Sequence, residues 1–528
     1  MAKSSAPEEP DGRDPQSSAE PAPADAQATS TSAGIAIVSS ASYVGLIASV
    51  IRALVLANVL GPIDWGILAA VRLLVGYCGN SHLGMMHGLN KLMPLALGKE
   101  EHERAETLQN TAFTATTALA IAAGLTVCGV AFFDLAHLGA TTRMALAVGG
   151  ALVIGGHTTN FITCVLRTHG RFGVIGRALL LAAVAEFALS IGLGLLLGVR
   201  AAVAGFVLAQ LAVLLYFLAR ARLRLAWRFR WPEIAALLKA GIPLMLMLLA
   251  DQLYRTVDCL IIVKFIRVRA FGFYRLGSTL AGMLYTVPSS VAYVLFPEYM
   301  KTYGRDGAEG LRRQLLLATV GLASVMPVLA GVGYLLCPCV IPWLMPKYVE
   351  AIGAIQVLLL GSSVLAVPVA ADQALVAFNR EKHLIAFRGA GALVIAAATY
   401  ALVHTALQGA DLLRAIAIGA CAGYAVTGTL SLMSAFAVYA DRRADVVRET
   451  ALSFLPLIFC LGALWASQRL AQAIAGHLGG PAMAAVSLPT FLLACAPLLL
   501  YLEHRTKLIS RLVAVLLRRR RKDTSQSD

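Results

Sequence analysis

Charge is what this sequence has least of. Only 14% of its 528 residues are Asp, Glu, Lys or Arg, while 58% are hydrophobic; soluble domains carry about 25% charged residues. No hydrophilic stretch is long enough to form a soluble catalytic domain, and there is no GxxxxGK[ST] phosphate loop, which excludes a built-in ATPase. His and Cys nowhere fall at metal-ligand spacing. Cys337-Pro-Cys339 is spaced wrongly for zinc or a redox pair, and the nine cysteines are scattered through apolar runs as small hydrophobes. No metal, cofactor or enzymatic activity is therefore expected.

What is present is a succession of continuous apolar runs. They do not alternate as barrel strands would, so the chain reads as an all-α polytopic membrane protein. About fourteen spans are expected, near 33–58, 64–97, 109–133, 144–166, 173–198, 201–219, 240–263, 270–297, 313–336, 352–378, 385–405, 413–439, 450–470 and 482–502. Residues 1–32 are rich in Pro, Ser, Ala and acids. They read as a disordered cytoplasmic tail, without the charged-then-apolar opening of a cleaved signal. Residues 220–239 form a basic, Trp-bearing interfacial linker, and 504–528 a basic amphipathic cytoplasmic tail.

The net charge of +15 does not imply nucleic acid. Lys and Arg concentrate in alternate short loops, which by the positive-inside rule places both termini in the cytoplasm. The turn at 264–269 is the one outside loop that departs from the trend.

The sequence also repeats. Asn58–Gly66 aligns with Lys264–Gly272, and the same offset puts Gly76 on Gly282. Further on, Leu92-Met-Pro94 aligns with Leu295-Phe-Pro297, and Ala105-Glu106-Thr-Leu108 with Ala308-Glu309-Gly-Leu311. An even number of spans per repeat gives parallel repeats related by an axis along the membrane normal. Two pseudo-symmetric six-helix lobes (33–219 and 240–439) are expected, followed by two extra helices within 440–503.

Several ionisable residues interrupt the apolar runs. A charge at the bilayer centre costs about 2.5–3.5 kcal/mol on insertion scales, so each is a functional hypothesis. The cations are Arg52, Arg72, Arg255 and Arg275; the acids are Glu186, Asp251, Asp258 and Asp372. Counted from the outside ends of their spans, Arg52, Arg72 and Arg275 lie in the outer third and Arg255 nearer the middle. Asp251, Arg255 and Asp258 share one helix face. Two readings of that face stay open: Arg255 and Arg52 face a cavity, or ion pairs fasten the lobes on the outside. Arg72 and Arg275 could snorkel and read as structural. Glu186 has no local cation and is either a proton carrier or a hydrogen-bonded core acid. Asp372, beside Gln373, could be interfacial, and Lys239 reads as interfacial. In the second span Asn80, His87 and Lys91 share a face and suggest a polar cavity wall; a continuous helix would set His82 about 140° from His87, which argues against a metal site.

The stretch from Arg52 through LANVLGPIDWGILAAVRLLVGYCGNSHLGMMHGLNKLMPLALGKEEHERAETL resembles the opening of Wzx-type polysaccharide flippases. These belong to the multidrug/oligosaccharidyl-lipid/polysaccharide (MOP) exporter superfamily. Leu238–Pro243, the run from Asp258 through FGFYRLGSTL, Pro288 through VLFPEYMKTYG, and Pro346–Leu359 are similar to the same family's second half. The resemblance covers about 33–440. The N-terminal arginine-and-aspartate pattern of lipid II flippases is not seen. What the resemblance implies is a flippase of the bacterial inner membrane. It would carry undecaprenyl-pyrophosphate-linked oligosaccharide, an O-antigen or exopolysaccharide repeat unit, from the inner to the outer leaflet by alternating access. Its partners would be that substrate, membrane lipids, and the polymerase and chain-length regulator of the pathway. Arg52, Arg72, Arg255 and Arg275 would then offset the substrate's charge, and Glu186, Asp251, Asp258 and Asp372 would serve as gate or ion-coupling acids. The alternative is a cation-coupled multidrug exporter of the same superfamily, whose cavity should be acidic and apolar. An integral-membrane polymerase would want a large outside loop, and the outside loops are all short.

Overall fold

The computed structural model describes residues 24–133, 139–440, 442–475 and 480–506. The expected tails therefore lie outside the described residues up to 23 and from 507 onward. Within 24–32, where the sequence suggested a disordered tail, the chain is helical.

The architecture is all helix. In order come α1 (Ala24–Cys78), α2 (Met85–Gly98), α3 (His102–Phe132), α4 (Ala140–Thr168), α5 (Phe172–Leu197), α6 (Val199–Ala221), α7 (Trp231–Phe265) and α8 (Val268–Leu344). A 3-10 turn (Pro346–Ala351) follows, then α9 (Ile352–Ala366), α10 (Val369–Ala377), α11 (Glu381–Val403), α12 (Gly409–Phe436), α13 (Arg443–Ala475) and α14 (Gly480–Thr506).

Two of these helices are too long for one crossing. A 77-residue helix such as α8 would run about 115 Å if straight, against about 30 Å of hydrocarbon. Each breaks at a glycine with left-handed φ, +74° at Gly61 in α1 and +68° at Gly307 in α8. Pro62, the next residue, lacks the amide that would continue the α1 ladder. Both helices fold back at these points. Arg52 and Arg72, on either side of Gly61, lie over one Phe206 ring, and Gln314 donates to Thr302 across Gly307. Twelve helices among the described residues are long and apolar enough to span a membrane. With α1 and α8 each crossing twice, the chain makes fourteen crossings, as its sequence suggested. Two crossings are interrupted: α2 completes the one begun by the second arm of α1, and α10 completes that of α9.

Helices α1–α6 pack among themselves and α7–α12 among themselves. The halves meet chiefly along α1–α8 and α2–α7, and α13 and α14 pack on each other and on α8. Both seams are lined by glycine. A Cβ on Gly272 would strike the Pro62 carbonyl and lie 3.2 Å from the Gly66 nitrogen; one on Gly241 would lie 2.7 Å from the Gly88 nitrogen. Helices unable to gain by excluding water from each other in lipid associate by such close backbone approach. Gly66 and Gly272 are also the residues aligned by the sequence repeat. Repeat-equivalent residues that touch each other sit where a twofold axis between the halves must pass.

Candidate functional site

At the end of the helices that bears the 3-10 turn, the halves enclose a cavity of about 240 Å³. Arg52 and Arg72 reach it from the two arms of α1, and Arg275 and Thr279 from α8. Ser49, Ala53, Leu56, Trp65, Leu68, Ala69 and Phe206 complete the wall. The fold-back at Gly61 brings the first two arginines together. Their guanidinium carbons lie 5.0 Å and 4.5 Å from the Phe206 centroid, within cation–π range.

Glu186 on α5 is the one carboxylate paired with this group among the described residues, and it is bound by Arg52. Its cation is thus supplied by a different helix, which corrects the expectation of an acid without one. Arg72 and Arg275 have no ion pair among the described residues and line the cavity. The buried indole Nε1 of Trp65, also in the wall, has no hydrogen-bond partner. Buried donors are normally satisfied, and this indole N–H beside two guanidiniums adds a third kind of donor to the wall. Three cations against one anion leave a net positive cavity that can take an oxyanion by forked hydrogen bonds.

The second constellation lies within the α7–α12 half and is charge-balanced. Asp251 accepts from Arg255 Nε at 2.8 Å and pairs with Arg388 Nε at 3.0 Å. Arg388 also donates to Asp372 at 2.8 Å, and Arg255 donates to the Tyr285 hydroxyl at 3.0 Å while lying over its ring. These residues, with Ser289, Phe296 and Gln373, line a second cavity of about 450 Å³. Arg388 was missed by the sequence reading, although a guanidinium within the apolar run 385–405 is the same signal that singled out the other arginines. Asp258 does not join this network, contrary to its expected face. It is buried, accepts from Tyr274 at 2.5 Å and from the amide of Cys259, and so ties α7 to α8.

The polar residues of the second crossing are divided by its break. Leu83 and Gly84 have φ of +52° and +87°, so the helical wheel that separated His82 from His87 does not apply. Their rings lie 5.2 Å apart and His157 is 5.6 Å from His82. Among the described residues no three His, Cys, Asp or Glu side chains are placed to hold a metal ion. Asn80 donates to Gln252 of α7, and Tyr77 bonds Thr256 at 2.7 Å, so this stretch joins the halves. Lys91 is exposed, and His87 and Asn80 are half-buried on either side of the break.

The sequence matches the family described as "Polysaccharide biosynthesis protein" over residues 55–352, more than half its length. The chain belongs to that family. A comparison with curated proteins finds no match. Among solved structures the family member is similar to lipid II flippase MurJ in an inward closed conformation (12% identity, TM-score 0.67, covering 88% of this chain and 98% of that one). It is also similar to an inward-facing multidrug resistance MATE family transporter of the MOP superfamily (15%, 0.62, 76% and 96%) and to a Vibrio cholerae MATE transporter (14%, 0.54, 81% and 100%). At these identities the likeness is one of fold: the chain is a multi-pass membrane protein with the MOP transporter fold.

Proposed function

We propose that this protein is a flippase that carries a polyprenyl-pyrophosphate-linked oligosaccharide from the cytoplasmic to the outer leaflet of the bacterial inner membrane by alternating access. The observation that carries the reading is the cavity between the halves, where Arg52, Arg72 and Arg275 converge and, among the described residues, Glu186 alone forms an ion pair with them. A pyrophosphate head crossing about 30 Å of hydrocarbon must exchange its hydration for fixed donors. Guanidiniums that stay charged and fork onto phosphate oxygens meet that need. The positive-inside rule puts the 222–230 face in the cytoplasm and the 3-10 turn outside. The arginine cavity then lies toward the outer leaflet, closed from outside by the Gly66–Gly272 contact and by Tyr348, whose hydroxyl donates to the Ala57 carbonyl at 3.0 Å.

A cation-coupled drug exporter fits less well. Its coupling acid must be free to bind a cation, whereas Asp251 and Asp372 are bridged by Arg388 and Glu186 is held by Arg52. Membership of a polysaccharide biosynthesis family agrees with a glycan-bearing lipid, and the polymerase and chain-length regulator of the pathway remain its proposed partners. Deleting the gene should cause lipid-linked repeat units to accumulate on the cytoplasmic side. Normal surface glycan together with raised drug sensitivity would overturn the assignment.

A further inference from the structure

The connection between α6 and α7 is an extended strap. From Arg222 to Trp231 the residues alternate strictly: Arg222, Arg224, Ala226, Arg228 and Arg230 on one side, Leu223, Leu225, Trp227, Phe229 and Trp231 on the other. Residues 222–230 belong to no helix, and three side chains of α3 hold their backbone. Gln109 donates to the Arg224 carbonyl at 3.4 Å, Asn110 accepts from the Ala226 amide at 3.1 Å, and Thr114 accepts from the Arg228 amide at 3.0 Å. The register is physical. Two extended residues advance about 6.6 Å, close to the 6 Å of the four helical residues from Asn110 to Thr114. Every second residue of the strap therefore meets the same helix face. Leu223 and Leu225 pack on the α1–α6 core, while Trp227, Phe229 and Trp231 expose their rings as membrane-interface aromatics do.

At the start of the strap the chain turns through Arg222 with φ of +46°, a backbone that glycine usually supplies after a helix. Arg171 donates to the carbonyls of Arg220 and Ala221 and so closes the end of α6. Beside it Arg171, Arg177, Arg220 and Arg222, with Tyr216, line a cavity of about 290 Å³ that has no carboxylate in its wall. Arg177, Arg220 and Arg222 are exposed and have no ion pair among the described residues.

We propose that this cavity binds the phosphate headgroup of an anionic phospholipid. Arg177, Arg220 and Arg222 take the phosphate, and the strap's exposed aromatics seat beside the acyl chains. Basic pockets between spanning helices on the cytoplasmic side suit such headgroups. The inference rests on the membrane embedding of the chain, not on its cargo.

The test is native mass spectrometry of the full-length protein titrated with phosphatidylglycerol and with phosphatidylcholine. The wild type should hold phosphatidylglycerol in preference. The combined variant Arg177→Gln, Arg220→Gln, Arg222→Gln should lose that preference by about tenfold or more, since each cation contributes separately. Arg222→Gly alone, which keeps the left-handed turn without strain, should lose a smaller share. A control removing three exposed cations elsewhere, Arg313→Gln, Lys382→Gln, Arg443→Gln, should keep the preference. Equal loss in the control would overturn the site in favour of general charge attraction. Displacement of phosphatidylglycerol by an equimolar polyprenyl pyrophosphate would overturn the phospholipid as its occupant.

Discussion

Arg255 and Arg388 show why an intramembrane charge must be read with its partners. Both sit on Asp251, but Arg388 alone also satisfies Asp372. Removing one member of a buried pair costs about 3–5 kcal/mol when the other is left uncompensated. Arg388→Ala strands Asp372 and leaves Asp251 to Arg255, so it should lower expression and thermal stability markedly. Arg255→Ala leaves both acids paired and should be the milder change, which thermal-shift measurements on the two purified variants will rank. The reverse order would mean that Asp372 does not depend on Arg388. The pairing of Arg255 with Asp251 was one of the two readings that their shared helix face left open; the part of Arg388 was not, because spacing along one helix says nothing of partners on another. The Arg52–Glu186 pair joins residues 134 apart and was hidden for the same reason. The convergence of Arg52 and Arg72 depends on the reversal at Gly61, which falls in the gap between the first two apolar runs, 33–58 and 64–97.

At the level of the elements, the seams between the halves are set by glycine. Gly66 and Gly272 let α1 and α8 touch backbone to backbone, and any side chain there must push them apart. Gly272→Val should therefore hold the end that bears the 3-10 turn open while leaving each half folded. A cysteine pair replacing Asn58 and Lys347, whose ammonium now donates to the Asn58 carbonyl at 3.2 Å, would read this out. In a background without the native cysteines, cross-linking of that pair should fall by about tenfold in Gly272→Val; unchanged yield would show that the contact does not control closure. The helices and the repeat were legible because both rest on apolar runs and turn residues that recur at a fixed offset. The break before Met85 was legible in part: Gly79-Asn80-Ser81-His82 interrupts the second apolar run, whereas nothing in the sequence marks the positive φ of Leu83.

For the whole molecule, the two halves divide the electrostatics unequally. The cavity between them carries surplus positive charge, whereas the cavity inside the α7–α12 half is neutralised by its own ion pairs. This asymmetry is the ground for the anionic cargo proposed above, and among the described residues of that half Asp251 and Asp372 are both bridged by Arg388. The most direct test is flipping of a polyprenyl-pyrophosphate-linked oligosaccharide by the purified protein in proteoliposomes, comparing the wild type with Arg72→Ala and Arg275→Ala. Arg72 has no ion pair among the described residues, so Arg72→Ala should keep wild-type thermal stability, whereas Arg275 also faces the buried Asp258 and Arg275→Ala should lose some; transport should fall by about tenfold or more in both, the loss of one charge-assisted contact of about 1.5–3 kcal/mol. Wild-type rates in both variants would contradict the account.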